Sequence, residues 1–326
     1  MKIDKNIVTI GGGTGTSVVL SALQKIQSLN LNAIISVCDN GGSTGRLRDE
    51  FGFLPVGDLR QAIAAMTSNS HNDWLRKLLL YRFEKGTGLK GHNLGNLILT
   101  ALQDMSGSTE NALDIASKIF RLHGEVIPVT TQDTHIVTSY EDGTVEFGEK
   151  VLDEKNGGIK IIGIRTEPKA KIYEKAAIAI ENAEYIIIGP GDLYASIMAN
   201  LIVEGVSEAI IKSKAKIILV MNLMTKFTQT HGMSANDHLS LIEKTLNKKV
   251  DYILMNSEKI PKDIENMYLA DREYLVVDDM DGDNRVIRAD FVKPVVIVKS
   301  ENDSVHRSFL RHDPKSLENV FRQIIV

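Results

Sequence analysis

The sequence predicts an α/β fold in which helices cover both faces of a mainly parallel sheet. Short apolar runs such as "NIVTI" and "NAIISVC" are continuous rather than alternating, which is typical of strands buried on both faces. Between these runs, Val19, Leu23 and Ile26 recur at helical spacing in "TSVVLSALQKIQ". Strand, helix and strand in succession form a βαβ unit, so we predict a Rossmann-like, doubly wound core.

The remaining elements continue this alternation along the chain. Residues from about 60 to 123 are predicted to be mainly helical, in the segments "DLRQAIAAM", "DWLRKLLLYRF", "LGNLILTAL" and "TENALDIASKIF". Apolar runs at residues 184–189, 216–222 and 250–256 predict further core strands. Two last strand signals, "EYLVVDD" and "RVIRADFV", precede a predicted closing helix, "PKSLENVFRQIIV".

One segment, from about residue 125 to 168, breaks the alternation. Its short alternating runs, "EVIPVTT", "THIVTSYEDGTVEFGE" and "IKIIGIRTEP", surround the turn signal Asp142-Gly143. We therefore expect a small antiparallel β insertion. Because no long linker, low-complexity tract or repeat separates two units, the insertion is predicted to belong to a single Rossmann-like domain of residues 1–326.

Composition limits the classes of protein that fit this fold. The chain has 326 residues, of which 43% are apolar, so it can bury a substantial core. The net charge of −4 provides no global field for nucleic acid or an anionic membrane, so any anion site must be local. The start resembles no signal peptide, and no apolar run reaches the roughly 18 to 20 residues of a membrane span. We predict a cytoplasmic protein that does not bind nucleic acid and that is open to homo-oligomer formation.

A glycine-rich segment, "GGGTGTS", follows the first strand and opens the first helix. Backbone N–H groups and the helix dipole at such a position favour a phosphate, although a tight turn that packs helix on strand has the same composition. The third glycine is Gly15, one position too early for the dinucleotide pattern G-x-G-x-x-G, and no G-K-[ST] ending follows. The candidate ligand-binding residues are Gly11, Gly12, Gly13, Thr14, Gly15 and Thr16.

A second glycine-rich segment, "DNGGSTGRLR" at residues 39–48, follows the second strand. The loops after two parallel strands emerge at the same edge of the sheet, so the two segments are expected to share one ligand. Asp39 is predicted to accept from a ribose hydroxyl, to bind a divalent metal, or to cap its own turn. The candidate residues are Asp39, Asn40, Gly41, Gly42, Ser43, Thr44, Gly45 and Arg46.

Three further motifs are candidates for the same crevice, each with a structural alternative. In "GPGDLYAS", Asp192 is interpreted as a helix cap in preference to an oxygen ligand. In "GHNLGN", the polar side chains either recognise a base or sugar or form a buried polar network. In "VGDLRQ", Asp58 and Arg60 form either a helix cap and a ligand clamp or a simple ion pair. The residues are Gly189, Gly191, Asp192, Ser196, His92, Asn93, Asn96, Asp58 and Arg60.

Isolated histidines and basic residues give weaker signals. His231 and His238 lack a third ligand of known spacing, so they are interpreted as surface or packing side chains rather than a metal site. Arg307, Arg311 and His312 either reach a diphosphate or form a solvated face, and Arg311 is kept as a candidate ligand residue. Cys38 is interpreted as a small buried side chain and not as a nucleophile.

Five motifs in a fixed order resemble those of the gluconeogenesis-factor (YvcK-like) proteins, in the superfamily of the 2-phospho-L-lactate transferase CofD. They are "IGGGTGTSVVLSALQ", "DNGGSTGRLRDEFGFLPVGDLRQAI", "KGHNLGNLILTAL", "IIIGPGDLYASIMANLIVEG" and "NLMT" with "SANDHL". The resemblance runs from residue 7 to about 240 and extends to "RHDPKSLENVF". It adds Asn222 and Thr225 to the candidate ligand residues.

The resemblance implies two different functions for one crevice. Gluconeogenesis factors are associated with cell shape, with cell-wall precursor supply on gluconeogenic carbon sources and with binding of UDP-N-acetylglucosamine, which implies a regulatory protein read by a protein partner. CofD is instead a Mg²⁺-dependent enzyme that transfers a phospholactyl group from a guanosine diphosphate-linked donor. A nicotinamide dehydrogenase ranks below both because the glycine spacing is wrong.

Two departures from the family pattern bear on this choice. Similar proteins present Asp-Asp where this chain has Asp39-Asn40, and the missing carboxylate is predicted to weaken recruitment of Mg²⁺. Asn40→Asp is therefore predicted to reveal Mg²⁺-dependent turnover in a decayed enzyme and to change nothing in a binding protein. The segment after Thr225 also departs from "NLMTQPGET", which predicts an altered loop edge.

Overall fold

A seven-stranded parallel sheet forms the centre of the molecule in the computed structural model, which describes residues 4–67, 74–154, 157–294 and 308–326. The strands are β1 Lys5–Gly11, β2 Leu29–Ile35, β3 Glu125–Pro128, β4 His135–Tyr140, β5 Val145–Phe147, β6 Ile161–Glu167, β7 Tyr185–Ile188, β8 Lys216–Val220, β9 Tyr252–Asn256, β10 Val286–Ala289, β11 Val292–Pro294 and β12 Leu310–His312. The central sheet has the order β10-β9-β8-β7-β1-β2-β3, with all neighbouring strands parallel.

Helices connect these strands and cover both faces of the sheet. They are α1 Gly13–Leu23, α2 Gly42–Phe51, α3 Gly57–Met66, α4 Trp74–Leu80, α5 Leu94–Ser106, α6 Thr109–Ile119, α7 Glu149–Glu154, α8 Glu174–Glu181, α9 Ala199–Leu201, α10 Val206–Lys212, α11 Ala235–Leu246, α12 Lys262–Ala270 and α13 Pro314–Ile325. A π-helix, Leu193–Met198, leads into α9. Within the described residues, none of these helices combines the length and the apolarity needed to cross a membrane.

The core strands are buried on both faces, as their continuous apolar runs predict. In β7, Ile186 and Ile188 pack in one apolar layer, and Ile187 packs in the layer on the opposite face. β1 divides in the same way, with Val8 in the first layer and Ile7 in the second. The prediction of a doubly wound α/β fold with a small antiparallel sheet is confirmed.

The connections reverse direction at the middle of the sheet. The chain leaves β1 toward β2 and β3, and then returns to the other side of β1 to form β7 to β10. In open α/β sheets, ligands bind beyond the carboxyl ends of the strands at such a switch point. The topology therefore predicts a ligand crevice at the carboxyl ends of β1, β2 and β7.

The antiparallel insertion is smaller than the sequence predicts. β5, β4 and β6 form its sheet, and Asp142-Gly143 lies in the turn between β4 and β5. The segment "EVIPVTT" does not belong to it, because β3 pairs in parallel with β2 at the edge of the central sheet. Val126 and Ile127 are buried in opposite layers of the core, which suits a strand covered on both faces.

The segment "EYLVVDD" is also not a strand of the central sheet. It runs beside the loop after β8, where Leu275 and Met224 form an isolated bridge and Val276 donates its amide to the Leu223 carbonyl at 3.0 Å. The predicted closing helix is confirmed as α13, which packs against α1. Cys38 is buried, and burial raises the pKa of its thiol to about 12, consistent with an unreactive side chain.

His312 provides a pH-sensitive contact between β12 and the central sheet. The ring is buried and its Nε2 lies 3.0 Å from the Met221 carbonyl, just beyond the end of β8. Burial lowers the pKa of His312 to about 4, so folding favours the neutral ring. Because the unfolded chain protonates near its ordinary pKa, the free energy of unfolding falls as the pH drops from about 6.5 toward 4, by up to about 3 kcal/mol.

His312→Gln is expected to flatten this pH dependence. The glutamine amide keeps a donor near the Met221 carbonyl but does not titrate, so the variant loses less stability than the wild type between about pH 6.5 and 4. Urea unfolding at several pH values measures the difference. Equal pH slopes for both proteins contradict the assignment to His312.

Candidate functional site

Three loops meet at the carboxyl ends of β1, β2 and β7. An alanine Cβ at Gly15 would lie only 2.2 Å from the Pro190 carbonyl oxygen, so the first glycine segment packs directly against the segment after β7. A Cβ at Gly12 would lie 2.2 Å from Asp58 Oδ2, at the start of α3. At Gly15 the clash is with backbone atoms, so a side chain there would force the two segments apart; at Gly12 a side chain would displace the Asp58 carboxylate.

The first glycine segment presents the start of α1 to this crevice. Gly12 is the N-cap residue and supplies no side-chain cap, and the first turn contains no acidic residue of its own. The Gly13 amide contacts the Asp58 carboxylate, which comes from another helix. The hydroxyl of Thr16 is buried, and a Cβ at Gly11 would lie 2.3 Å from it, so the two residues pack closely. The α1 start therefore faces the crevice with the Asp58 carboxylate on its Gly13 amide, and its role as an anion site stays a prediction.

The second glycine segment is a helix start and not a flexible loop. α2 begins at Gly42, and its N-cap residue, Gly41, again has no side-chain cap. Ser43 and Thr44 are buried in the first turn, whereas Arg46 is exposed one turn away. The sequence does not predict this helix, because glycine, serine and threonine are poor helix formers. Here they occupy the first turn, where such residues are tolerated.

Asp39 shows one of its predicted roles, the cap of its own turn. Its Oδ1 accepts from the Gly41 amide at 2.7 Å, so the residue does cap its own turn. Its Oδ2 faces the start of α3, where a Cβ at Gly57 would lie 2.6 Å away. Asp39 therefore lies between the starts of α2 and α3, close to Asp58.

Asp39 and Asp58 form an acidic pair at the centre of the crevice. Burial and the neighbouring Asp39 carboxylate raise the pKa of Asp58 to about 7, against the opposing effects of the Gly13 amide and Arg60. A carboxyl group whose pKa is raised toward neutral pH by burial and a like charge is typical of functional sites. This pair favours a proton or a cation at the crevice near neutral pH.

Asn40 does not point toward this pair, which corrects the sequence-based argument about the missing carboxylate. Its Oδ1 accepts from the Lys150 amide at 2.8 Å, and its amide group packs against Gly148. Asn40 therefore anchors the start of α7 in the insertion. The carboxylate beside Asp39 comes from Asp58, on a different helix.

A buried polar network supports the hydroxyls of α2. Arg60 donates through Nε to Asn96 Oδ1 at 2.7 Å and through Nη1 to the Leu79 carbonyl at 3.3 Å. The Asn96 amide in turn lies 3.3 Å from the Thr44 hydroxyl and 3.4 Å from the Ser43 hydroxyl. These hydrogen bonds of Arg60 thus support this network, through which the residue orients the α2 start.

His92 and Asn93 complete this network at the start of α5. Asn93 caps the helix, because its side-chain oxygen accepts from the backbone amide of Asn96 at 3.2 Å. His92 Nδ1 lies 3.2 Å from the Ser43 hydroxyl, and burial together with Arg46 lowers the pKa of the ring. The polar-network alternative is confirmed for Asn93 and Asn96, while His92 is partly exposed beside Arg46.

The segment after β7 forms the opposite wall. Asn222 holds Gly191 with both side-chain atoms: Nδ2 donates to the Gly191 carbonyl at 2.8 Å and Oδ1 accepts from its amide at 3.3 Å. Asp192 precedes the π-helix but makes no side-chain cap, so the cap interpretation is wrong. Its Oδ2 accepts instead from Lys226 Nζ at 2.7 Å, a charged partner that competes with the cap.

Two residues of this wall were missed by sequence reasoning. Asn200 donates to the carbonyls of Gly11 at 3.0 Å and Ser196 at 2.7 Å, which ties the first glycine segment to the π-helix. Its position four residues after Ser196 in "YASIMAN" was the available signal. Lys226 lies in the segment that departs from the family pattern, and it brings a positive charge to the rim.

The remaining candidates have contacts of their own. Gly189 precedes the cis peptide to Pro190, and Thr225 bonds the backbone of Tyr274 through its amide at 2.7 Å and its hydroxyl at 2.9 Å, a structural contact. Arg311 lies in β12, next to the His312 that contacts the end of β8. Arg307 lies outside the described residues.

Metal-binding clusters of histidine, cysteine or acidic residues are not evident in the described parts of the chain. No group of three or more such side chains is assembled there. His238 is buried against the Ser234 carbonyl at 2.8 Å, and His231 packs on Phe227, as the interpretation of these two histidines predicts.

Known proteins resemble this chain over nearly its full length. Residues 7–294 match the model of the family described as 2-phospho-L-lactate transferase CofD. A relative from Thermotoga maritima is 37% identical over 319 residues, which cover 98% of each chain. The gluconeogenesis factor of Listeria innocua is 36% identical over 259 residues, 79% of each chain.

A solved structure shows the same fold. The crystal structure of a protein from Bacillus halodurans superposes with a TM-score of 0.88 at 33% sequence identity. The superposition covers 98% of this chain and 99% of that chain.

Proposed function

Because the chain belongs to the 2-phospho-L-lactate transferase CofD family and is closely similar to its gluconeogenesis factors, we propose that it is a regulatory protein that binds a nucleotide sugar of the UDP-N-acetylglucosamine type. The observation that carries the proposal is the convergence of the α1 and α2 starts at one crevice. Neither N-cap glycine supplies a side-chain cap, and although Asp58 and Asp39 contact the Gly13 and Gly41 amides, the other first-turn amides of two helix starts suit the two charged groups of a diphosphate.

The residues of the crevice have distinct roles in this proposal. The first-turn amides of α1 and α2 bind the diphosphate, and the Ser43 and Thr44 hydroxyls donate to it. Arg46, exposed beside the α2 start, adds a positive charge. Asp39 accepts from a ligand hydroxyl through Oδ2.

The proposed output is a change in partner binding. A cytoplasmic protein partner reads the ligand-filled state through its higher affinity for that state, which couples precursor level to cell shape and cell-wall supply during growth on gluconeogenic carbon sources. The crevice walls come from segments that contact one another directly, so a ligand that bridges them changes their spacing.

One observation favours a second candidate function, a Mg²⁺-dependent transferase that acts on a nucleotide-diphosphate-linked substrate. Asp39 and Asp58 fit a magnesium ion, which commonly uses one or two protein carboxylates together with substrate phosphates. When bound, Mg²⁺ neutralises the charge that develops on a leaving diphosphate. The polar network of Arg60 and Asn96 holds the neighbouring Ser43 and Thr44 hydroxyls in place in either function.

Calorimetric titration tests the choice between these functions. We expect UDP-N-acetylglucosamine to bind without Mg²⁺, more tightly than GDP or NAD, and to be recovered intact. Arg46→Ala is expected to weaken binding about tenfold because it removes a charge-assisted phosphate contact of about 1.4 kcal/mol.

Arg165→Ala is the matched control for this titration. Arg165 is an exposed arginine on β6 that pairs with Glu167 at 2.8 Å, in the sheet of the insertion. Its removal changes the net charge equally but is expected to leave the affinity unchanged. Binding that requires Mg²⁺ or that is restricted to GDP rejects the regulatory proposal in favour of the transferase.

A further inference from the structure

A cavity of about 230 Å³ opens at the carboxyl ends of β8 and β9, on the side of β7 away from β2. Leu223, Met255 and Leu275 give it an apolar wall. Ser257 and Lys259 lie on its exposed rim together with the acidic Glu258. Of the residues assigned to the crevice, only one also lines this cavity.

Asn222 is that shared residue, and it joins the cavity to the crevice. Its side chain lines the cavity and also makes both hydrogen bonds to Gly191 in the wall of the crevice. β8 lies two strands from β1, a separation of roughly 10 Å at the usual strand spacing. A molecule bound at the α1 start therefore reaches the cavity by extending past Gly191.

The orientation of the ligand follows from the position of Asp39. Asp39 follows β2, where a carboxylate commonly accepts from a ribose hydroxyl in doubly wound folds. The nucleoside then lies on the β2 side of the diphosphate. The group on the other side of the diphosphate lies over β7 and β8, at the cavity.

The lining suits a sugar better than a nucleobase. Among the described residues, the lining holds no aromatic ring on which a base would stack. It instead combines aliphatic and thioether surface with the amides of Asn222 and Asn256, a hydroxyl and a charged rim, which matches a ring that has apolar faces and polar edges. We infer that this cavity binds the glycosyl group of the nucleotide sugar and selects among sugars.

The inference rests on the proposed nucleotide-sugar binding, and a cavity-filling variant tests it separately. Ser257→Trp places a large side chain at the rim, and the Ser257 side chain is exposed, so the fold is expected to tolerate it. The backbone amide of Ser257, which donates to the Ala289 carbonyl at 3.0 Å, is unchanged. We expect the affinity for UDP-N-acetylglucosamine to fall at least tenfold and the affinity for UDP to change less than twofold.

Two further variants guard against indirect effects. Lys262→Trp adds the same side chain to the exposed first residue of α12, outside the cavity, and is expected to bind both ligands as the wild type does. Lys259→Ala removes a rim charge without filling the cavity and is expected to weaken UDP-N-acetylglucosamine but not UDP. Thermal unfolding of each variant checks that the fold is retained.

The other outcomes have different meanings. If Ser257→Trp and Lys259→Ala bind UDP-N-acetylglucosamine like the wild type, the glycosyl assignment is overturned while the proposed function stands. If Ser257→Trp weakens UDP and UDP-N-acetylglucosamine equally, the cavity takes the nucleoside and the inferred orientation is wrong. A wild-type protein that binds neither ligand overturns the proposed function and the inference together.

Discussion

Gly15→Ala is expected to abolish detectable nucleotide-sugar binding and to lower the free energy of unfolding by about 1–3 kcal/mol, the usual cost of overpacking a filled space. The new Cβ would lie 2.2 Å from the Pro190 carbonyl oxygen and 2.7 Å from its carbon. Both atoms belong to the backbone, so the clash is relieved only if α1 moves away from the segment after β7. That movement separates the two walls of the crevice.

Gly45→Ala should have a similar effect at the second helix start, because its Cβ would lie 2.2 Å from the Asn40 carbonyl oxygen. Gly88→Ala is the matched control, since Gly88 is exposed and an added Cβ meets no atom of the described residues within 4 Å. Urea unfolding and calorimetry on the three variants measure stability and binding separately. Wild-type affinity in Gly15→Ala would show that contact between the two segments is not needed for the site.

The sequence predicts the sheet better than it predicts the crevice. Continuous apolar runs identify strands such as β7 and β8 because burial on both faces leaves no polar positions. The sequence pattern places β3 in the insertion, because the pairing of β3 with β2 is a long-range contact that local sequence does not reveal. A run of four residues has no local feature that reveals its neighbour.

The crevice depends on contacts between distant segments in a similar way. The glycine-rich composition after β1 and β2 marks both segments of the crevice, but it predicts a helix start only for the first and misses the one at Gly42. Asn40 lies next to Asp39 in sequence, yet its side chain belongs to the insertion through Lys150. Asp58 is 19 residues from Asp39 and lies beside it only after α2 and α3 have packed. Adjacency in sequence was therefore a poor guide to which carboxylates act together.

Asp58→Asn is expected to remove the pH dependence of ligand binding near neutrality. Burial and Asp39 raise the pKa of Asp58 to about 7, and a bound diphosphate, being negative, raises it further. Without Mg²⁺, binding therefore takes up a proton, and the wild-type affinity falls as the pH rises above about 7, by at most about tenfold per pH unit. The asparagine variant carries no charge at this position, so its affinity stays nearly constant between about pH 6 and 9.

Mg²⁺ reverses the sign of this dependence. Mg²⁺ held by Asp39 and Asp58 would lower the pKa of Asp58, so binding would release a proton and the affinity would rise with pH. Calorimetry in buffers of different ionisation enthalpy measures the number of protons taken up or released. Proton uptake without metal supports the regulatory proposal, whereas tight binding only with Mg²⁺ and with proton release supports the transferase.

Asn40→Asp is the control that tests whether the second carboxylate of the site belongs at position 58, as the structure indicates, or at position 40, as the Asp-Asp pattern of similar proteins indicates. An aspartate at position 40 keeps an acceptor for the Lys150 amide, so its carboxylate is expected to remain directed toward the insertion. The pH dependence and the Mg²⁺ dependence of binding should then match those of the wild type, while Asp58→Asn changes both. If Asn40→Asp instead creates Mg²⁺ dependence and Asp58→Asn leaves it unaltered, the second carboxylate of the site belongs at position 40. The transferase ancestry inferred from the Asp-Asp pattern then becomes the better explanation of this crevice.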